Sequence, residues 1–379
     1  MAESRLRVVF DAHALTPHRS GIGEYSWHLL CALVRDFRDE VDLHLYVPSG
    51  IHSAASEDDI ARLTADVRDG DFFRASHQWH LPTLLRRGAY DLLHTPDFLV
   101  PLRCPVPLVC TIHDLIPLVH PEFIPRSLKV RLLPVFRAWA RHAARRSAAV
   151  ITDSAHSRGD ILRLLGAEET RVTVVPLAPT LEVTGAPLAP AHAAVLREGR
   201  YLLYVGRHDP YKGLSHLFRA FAAARSEGAL DGVQLAVAGK RDPRYGHEDL
   251  ATSLGIASDV VFLDYVDTSE LSALYAFALA YVHPSLYEGF GLPPLDAMRH
   301  GVPVCCSDRS SLPEVVGDAA LLFDPENSEV FSSVLKEIAE NAILRRVLIQ
   351  KGSEQVRRFS WNQTARRTVQ AYIDCVRRV

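Results

Sequence analysis

Two carboxylates raise the first chemical question. Glu288 and Asp296 stand with seven residues between them in EGFGLPPLD, where Gly289 and Gly291 flank Phe290 and two prolines follow Leu292. Prolines in the first turn of a helix lose nothing, because those amides have no intrahelical partner. The pattern predicts a strand, AYVHPS, an exit loop, LYEGFGLPP, and a helix over PLDAMRHG closed by Gly301. Free amides at residues 289 to 292 and the positive end of the helix dipole can then receive an anion such as phosphate. Both acids can face the same pocket. Such a set suits a sugar nucleotide: carboxylates accept from sugar and ribose hydroxyls, and amides and cations hold the diphosphate. Acids that merely favour the helix dipole would explain Glu288 or Asp296 singly, but not the loop around them.

Three other loops carry candidate groups. YVGRHDPYKG places Arg207 just past an apolar run and Lys212 five residues later, bounded by Gly206 and Gly213, so two cations could clamp a diphosphate. His113 and Asp114 follow VPLVCTI, where His113 can donate to a bound hydroxyl or phosphate and Asp114 can orient loop or ring. Gly21 and Gly23 in RSGIGEYSWHLL allow a tight turn before a helix starting at Glu24, which an ordinary strand-to-helix turn would also show. Position 26 is Ser, so the three-glycine dinucleotide fingerprint is incomplete and a nicotinamide dehydrogenase is disfavoured. The histidines of HQWH, 77 to 80, form a two-ligand pair with no third ligand in view, so no metal site is expected.

These loops need strands to end where they begin. LRVVFDAH, VDLHLYVP, YDLLHT, VPLVCTIHD, AAVITDS and VTVVPLAP are candidate strands up to residue 179, alternating with helical patterns as in βαβ units. Residues 180 to 199 lose strand periodicity and gain Pro and Ala, as a linker does. The alternation restarts with YLLYVG, VQLAVAGK, VVFLDYV, AYVHPS, VPVCCS and AALLFD. The class is therefore α/β: two doubly wound, Rossmann-like domains with a cleft between them. Ligands in such sheets bind beyond the carboxyl ends of the strands.

Length and composition agree. The 379 residues exceed one ordinary core, and 48% apolar with 23% charged residues is a globular composition. A net charge of −3 gives no reason to expect a nucleic-acid partner. The N-terminus enters a strand pattern without a leader, and no apolar run reaches the roughly 18 residues of a membrane span, so a cytoplasmic protein is expected. Six cysteines follow no metal spacing and imply a reducing compartment.

EGFGLPPLDAM, followed by GVPVCCSDRSSLPEVVGDAALLFDP, resembles the acid-x7-acid signature of the retaining glycosyltransferases of family 4, which have the GT-B fold. YVGRHDPYKG, TIHDLIPLVHPEF, SGIGEY and VITDSAHSRGDILRLLG match that family in order, across essentially the whole chain. The resemblance implies an N-terminal acceptor-side domain at 1–179, a linker at 180–199 and a nucleotide-sugar domain at 200–357. It also implies a helix at 358–379 that crosses back to the first domain. By the same resemblance Arg207 and Lys212, near Gly206, bind the donor diphosphate, and Phe290, Gly291 and Leu292 offer amides to phosphate. Glu288 contacts the donor sugar, Asp296 binds the ribose, His113 lies beside the reacting sugar, and the Gly21–Gly23 loop lines the cleft. The family's usual second acid is Glu; Asp296 is one methylene shorter.

The implied reaction is transfer of a hexosyl group from a nucleotide diphosphate sugar to an acceptor hydroxyl, with retention and without a resident metal. GDP-mannose is the favoured donor, with UDP-sugars open, in surface-polysaccharide or glycolipid synthesis. A sugar-nucleotide epimerase of the same fold, or a non-catalytic binder, are the alternatives. The acceptor is an oligosaccharide or is lipid-linked. RSLKVRLLPVFRAWARHAARRS, 126 to 147, carries seven cations and no acid, with Leu128, Leu132, Val135, Phe136, Trp139 and Ala143 at helical spacing and Pro134 as an expected kink. Such a helix can rest on an anionic membrane. It can equally pack its stripe on its own sheet.

Overall fold

In the computed structural model, residues 5–15, 21–46, 77–123 and 132–378 are described. The apolar runs become two parallel sheets. β1 (Leu6–Asp11), β2 (Val41–Tyr46), β3 (Leu92–Thr95), β4 (Leu108–Thr111), β5 (Ala149–Thr152) and β6 (Val172–Val174) lie in the order β2-β1-β3-β4-β5-β6. β7 (Tyr201–Val205), β8 (Gln234–Ala238), β9 (Val260–Asp264), β10 (Ala280–His283), β11 (Val304–Ser307) and β12 (Ala320–Phe323) lie in the order β12-β11-β10-β7-β8-β9. β3, β4, β5, β10 and β11 are buried at every position, because helices cover both faces of each sheet.

The chain divides into two compact units. Met1–Val119, Arg126–Leu177 and Ser360–Val379 make the first, and His120–Pro125 and Ala178–Phe359 the second. Each sheet has a place where the order of strands reverses: between β1 and β3 in the first unit, and between β7 and β10 in the second. Outside the carboxyl ends of those neighbours lies the crevice that open parallel sheets use for ligands.

The helices that cover the sheets and carry or support candidate groups are α1 (Gly21–Asp36), α2 (His77–Arg87), α3 (Leu133–Arg146), α4 (Ala155–Leu165), α5 (Leu214–Ser226), α6 (Thr268–Ala276), α7 (Leu292–Arg299), α8 (Ser328–Glu340) and α9 (Trp361–Arg377). In the second unit, Phe331, Leu335 and Ile338 of α8 and Leu217, Phe218 and Phe221 of α5 share one core with β7 and β8. In the first unit, α9 packs on α1, β4 and β5. The Ser360 hydroxyl caps α9 by accepting from the amide of Gln363, and Thr368, Ala371, Tyr372 and Cys375 form its buried face. That helix is also held through polar groups. Tyr372 Oη is 2.7 Å from His94 Nδ1, His94 Nε2 is 2.9 Å from Thr111 Oγ1, and Tyr25 Oη on α1 is 2.9 Å from the same hydroxyl. Burial pushes His94 down to about 3, so the ring is neutral and can both donate and accept in this chain.

Three local expectations are corrected. Gly21 and Gly23 do not form a turn before a helix at Glu24: α1 already begins at Gly21, and neither residue has a left-handed φ. Pro134 does not kink a helix; it sits in the first turn of α3, where its missing amide costs nothing. Leu128 lies outside the described residues. Residues 180 to 199 do not run free of the second unit: Leu181, Leu188 and Leu196 are buried, and Thr184 N donates to Ser272 Oγ of α6 at 3.2 Å.

Candidate active site

The second unit gathers its chemistry at the β7/β10 reversal. After β7 the chain makes a short turn, Pro210–Lys212, and reaches Gly213 with φ +71°. A Cβ on Gly213 would sit 2.0 Å from the carbonyl oxygen of Pro284, so only glycine lets this loop lie against the exit of β10. The amide of Leu286 donates to the Tyr211 carbonyl at 2.7 Å and fastens the two loops together. As a result Lys212 Nζ is 2.7 Å from Glu288 Oε1, with both side chains largely buried.

Glu288 is held by other groups as well. Its amide donates to Ser310 Oγ at 2.8 Å, and the Ser311 hydroxyl lies 2.9 and 3.0 Å from the carbonyls of Glu288 and Phe290. His283 Nε2 approaches the same Oε1 at 3.1 Å, and His283 Nδ1 is 2.8 Å from Tyr281 Oη. Burial pushes the Glu288 carboxyl up, but Lys212 and His283 outweigh it and hold the group below the usual carboxylate range. Burial lowers His283, so its ring is neutral; Nε2 donates to the carboxylate and Nδ1 accepts from the tyrosine. Among the described residues both side-chain hydrogen bonds to the Glu288 carboxylate fall on Oε1, and none falls on Oε2. An ionised oxygen in that position can only accept a hydrogen bond or bind a cation.

Phe290, Gly291 and Leu292 form the turn into α7. Gly291 precedes the helix with φ +104°, Leu292 is its first residue, and the next two are prolines. Phe290 is buried with its ring 5.8 Å from that of Phe359. The turn therefore offers backbone amides, and Glu288 stands two residues ahead of Phe290.

Asp296, which the resemblance assigns to the ribose, is engaged in this structure by the chain itself. It is 4% exposed, and the chain itself donates to both of its oxygens. Oδ1 accepts from Thr180 N at 2.8 Å and Leu181 N at 3.0 Å, and Oδ2 from Thr180 Oγ1 at 3.1 Å. Burial raises this carboxyl, opposed by those donors. Three of the four acceptor positions of the carboxylate are thus taken by the chain, leaving one on Oδ2. Arg207 also stands apart from Glu288: its side chain is 75% exposed and pairs with Asp209 at 2.8 Å. Gly206 sits where β7 meets β8, and a Cβ on Gly239 would lie 2.0 Å from its carbonyl oxygen.

In the first unit, His113 leaves β4 with its edge toward Tyr25, ring centroids 4.7 Å apart. Its orienting partner is not Asp114, whose Oδ1 accepts from Ile116 N at 3.1 Å and shapes the loop. It is Asp153 at the end of β5, 2.6 Å from Nδ1. Nε2 lies 3.1 Å from the Pro96 carbonyl, which can only accept, so that nitrogen carries a hydrogen. Burial lowers this ring's affinity for a second proton, but Asp153 outweighs it and the net shift is upward. Both nitrogens are committed, and donation to a ligand requires His113 to give one partner up.

Sequence reasoning missed a second pair there. His13, after β1, bridges Asp11 at 3.2 Å and Asp97 at 3.1 Å. Asp97 follows β3, so this contact spans the β1/β3 reversal. Burial works against the charge, yet the two aspartates raise His13 to about 10. The signal available was the rule already used for Lys212 and Glu288, that polar residues just past parallel strands converge. Gly21 and Gly23 lie in the first turn of α1, two to four residues ahead of Tyr25. In HQWH, the His77 side chain lies outside the described residues; among those described, no three His, Cys, Asp or Glu side chains cluster as metal ligands.

Comparison with known proteins gives this geometry a family. Residues 19–179 match the family model described as Glycosyltransferase Family 4, and residues 192–355 match Glycosyl transferases group 1. The chain is 31% identical to O-antigen chain mannosyltransferase B of Escherichia coli over 400 residues, covering 97% of this chain and 99% of that one. It is 31% identical over 314 residues to the MMP alpha-(1->4)-mannosyltransferase of Mycolicibacterium hassiacum, covering 78% and 73%. Among solved structures, the sucrose-phosphate synthase of Thermosynechococcus elongatus superposes with a TM-score of 0.74 at 20% identity, covering 97% and 98%. Anabaena HepE in complex with UDP and glucose superposes at 0.71 with 18% identity, covering 97% and 99%. Two Rossmann-like sheets, site residues at their reversal points and a relative matched from end to end agree: the chain belongs to the family 4 glycosyltransferases of GT-B fold and is a hexosyl-transferring enzyme.

Proposed function

We propose that the chain moves a mannosyl group from GDP-mannose to a hydroxyl of an oligosaccharide or lipid-linked acceptor, with retention at the anomeric carbon. The observation that carries this reading is the Lys212–Glu288 pair at the β7/β10 reversal, with Glu288 Oε2 left for a ligand hydroxyl. Support for mannose comes from relatives named as mannosyltransferases in O-antigen synthesis. Lys212 meets the diphosphate, and the amides at the Phe290–Leu292 turn and the positive end of α7 add to it. Arg207, exposed and paired at its guanidinium with Asp209, swings onto phosphate when donor arrives. The leaving diphosphate then accepts the acceptor's proton, and its charge falls to these groups rather than to a resident metal. Asp296, engaged by Thr180 and Leu181 in a place that is 4% exposed, is left out of the ligand contacts.

Thermal shift against GDP, UDP, ADP and TDP, followed by transfer from labelled GDP-mannose with NMR of the product's anomeric configuration, tests this. Stabilisation by UDP and not GDP would overturn the donor, an inverted product the stereochemistry, and loss of turnover in EDTA the metal independence. Free sugar released without acceptor would overturn transfer itself.

A lipid-linked acceptor also needs access to a membrane surface. No helix among the described residues is long and apolar enough to cross a membrane. The first unit instead exposes Trp79 by 72%, Val135 by 56%, and Leu102 and Leu132 by 50% each. Gln78 next to Trp79 accepts from Leu102 N at 2.7 Å, and Phe98 packs edge-on to Phe136 of α3 at 4.7 Å, which keeps these segments side by side. Arg86, Arg87, Arg103, Arg137, Arg141 and Arg145 are exposed on the same segments, which contain no acid. Exposed apolar side chains among unopposed arginines suit an anionic lipid surface, at about 1 kcal/mol per arginine near the headgroups. Co-sedimentation with phosphatidylglycerol vesicles at low salt should detect it, and exchanging Arg137, Arg141 and Arg145 for Glu should remove it. Wild-type protein that ignores such vesicles would point to a soluble acceptor.

A further inference from the structure

We infer that His283, steered by Tyr281, is a positioning residue that keeps Glu288 aimed at the donor sugar when Lys212 turns to the diphosphate. This rests on the proposed function, in which Lys212 and Glu288 serve different parts of one donor. In the structure both Lys212 and His283 hold the same oxygen, Oε1, at 2.7 and 3.1 Å. An ammonium is a mobile point charge on a flexible stem and can be shared with arriving phosphate oxygens. An imidazole at the end of a strand cannot follow. His283 is the last residue of β10, it is buried, and its ring is fixed from behind by Tyr281 Oη at 2.8 Å. Tyr281 is itself buried, 5.4 Å from the ring of Tyr275.

The division of labour comes from the hydrogen-bond inventory. With Nδ1 accepting from Tyr281, the proton of the neutral ring is confined to Nε2 and points at Oε1. Oε1 is thereby occupied whatever Lys212 does, and Oε2 remains the acceptor for a sugar hydroxyl. Without His283, departure of Lys212 would leave a buried carboxylate with no side-chain donor, which would take up a proton or rotate. Either change removes the ionised acceptor.

Other titratable groups around the pair do not interfere. Tyr204 on β7, Tyr281 on β10 and Cys306 on β11 are all pushed well up by burial and stay neutral. Tyr211 lies under the Lys212 ammonium, 5.2 Å from nitrogen to ring centroid. The nearby charges are carboxylates: Asp209, paired with Arg207, acts on Tyr204, and Asp308, paired with Arg309, acts on Cys306.

The test compares His283→Leu, which removes the donor, with His283→Gln, whose amide can restore it, and with Tyr281→Phe. Two readouts are taken on the full chain. The first is the ¹³C carboxyl titration of Glu288, assigned through Glu288→Gln, with and without inorganic pyrophosphate to draw on Lys212. The second is kcat/KM against pH for transfer from GDP-mannose. The titration should move upward by at least about one pH unit in His283→Leu, more so with pyrophosphate, and return most of the way in His283→Gln. The acid limb of kcat/KM should move with it, with a loss of about 10- to 100-fold, the usual effect of a hydrogen bond to a charged group. Tyr281→Phe should give the same pattern in smaller degree. A Glu288 titration unchanged in folded His283→Leu would overturn the inference. No transfer by wild-type protein from any nucleotide sugar would instead sink the proposed function, leaving the carboxyl titration to decide on His283.

Discussion

Replacing Asp296 by Ala should destabilise the second unit by an amount that can be worked from three contacts. The carboxylate accepts from Thr180 N, Leu181 N and Thr180 Oγ1 at 2.8 to 3.1 Å in a place that is 4% exposed. Deleting it strands two backbone amides, each costing about 1–3 kcal/mol when left unpaired. The hydroxyl can turn elsewhere and counts for less. Against this, a desolvated carboxylate is removed, and its raised pKa shows that burial is not fully compensated. The net should be about 3 kcal/mol, or about 6–12 °C in Tm for a unit of this size. Thr180→Val keeps both amide contacts and should cost only about 1 kcal/mol. Differential scanning calorimetry at neutral pH measures both variants. A second assay separates this anchoring from ribose recognition: Asp296→Asn should discriminate 2′-deoxy and 3′-deoxy donors from the ribo form as wild type does. Asp296→Ala melting within a degree or two of wild type would refute the anchoring. Loss of ribose discrimination in Asp296→Asn would return the carboxylate to the ligand.

The same geometry sets further outcomes. Lys212→Ala should lower kcat/KM by about 2–4 kcal/mol in the barrier, the usual cost of one preorganised donor at developing charge, and full turnover would count against its role. His13, raised to about 10, contributes stability in full below its ordinary value near 6.5 and loses it as pH climbs toward 10. Wild type should therefore lose more stability than His13→Gln between pH 7 and 10 in urea unfolding, and parallel curves would show that the Asp11–His13–Asp97 bridge contributes nothing. Gly213→Ala meets the Pro284 carbonyl at 2.0 Å with φ at +71°, so it should cost at least about 1–2 kcal/mol and lower kcat/KM by displacing Lys212. A fully stable, fully active Gly213→Ala would show that the loop has room the packing denies.

The central strands were legible because burial on both faces leaves no polar alternation to blur a short β-branched run, and the outer ones because turn residues and helical patterns bound them. All twelve runs named from the sequence are strands, and they fall into two parallel sheets. Local conformation at helix starts was harder, since glycine permits a turn without requiring one: Gly21 and Gly23 are helical, whereas Gly213 and Gly291 are left-handed. The pairing of Lys212 with Glu288 was within reach, because each stands in an exit loop and the signature places them in one unit. Arg207 obeys the same rule and yet is exposed, paired with Asp209 two residues on.

What could not be read belongs to strand order, which no local pattern encodes. His13 and Asp97 are 84 residues apart, and they meet because β1 lies beside β3. His113 and Asp153 are 40 apart and meet because β4 lies beside β5. His283 escaped for a different reason. Inside AYVH it occupies a position buried like its neighbours, so the run reads as core throughout, and only the ring's contact with Glu288 five residues on reveals a polar duty. Asp296 escaped because its partners lie 115 and 116 residues upstream, in a stretch whose Pro and Ala content reads as a tether. An acid one methylene shorter than the family's usual glutamate keeps its charge close to its own helix, where Thr180 and Leu181 deliver their amides.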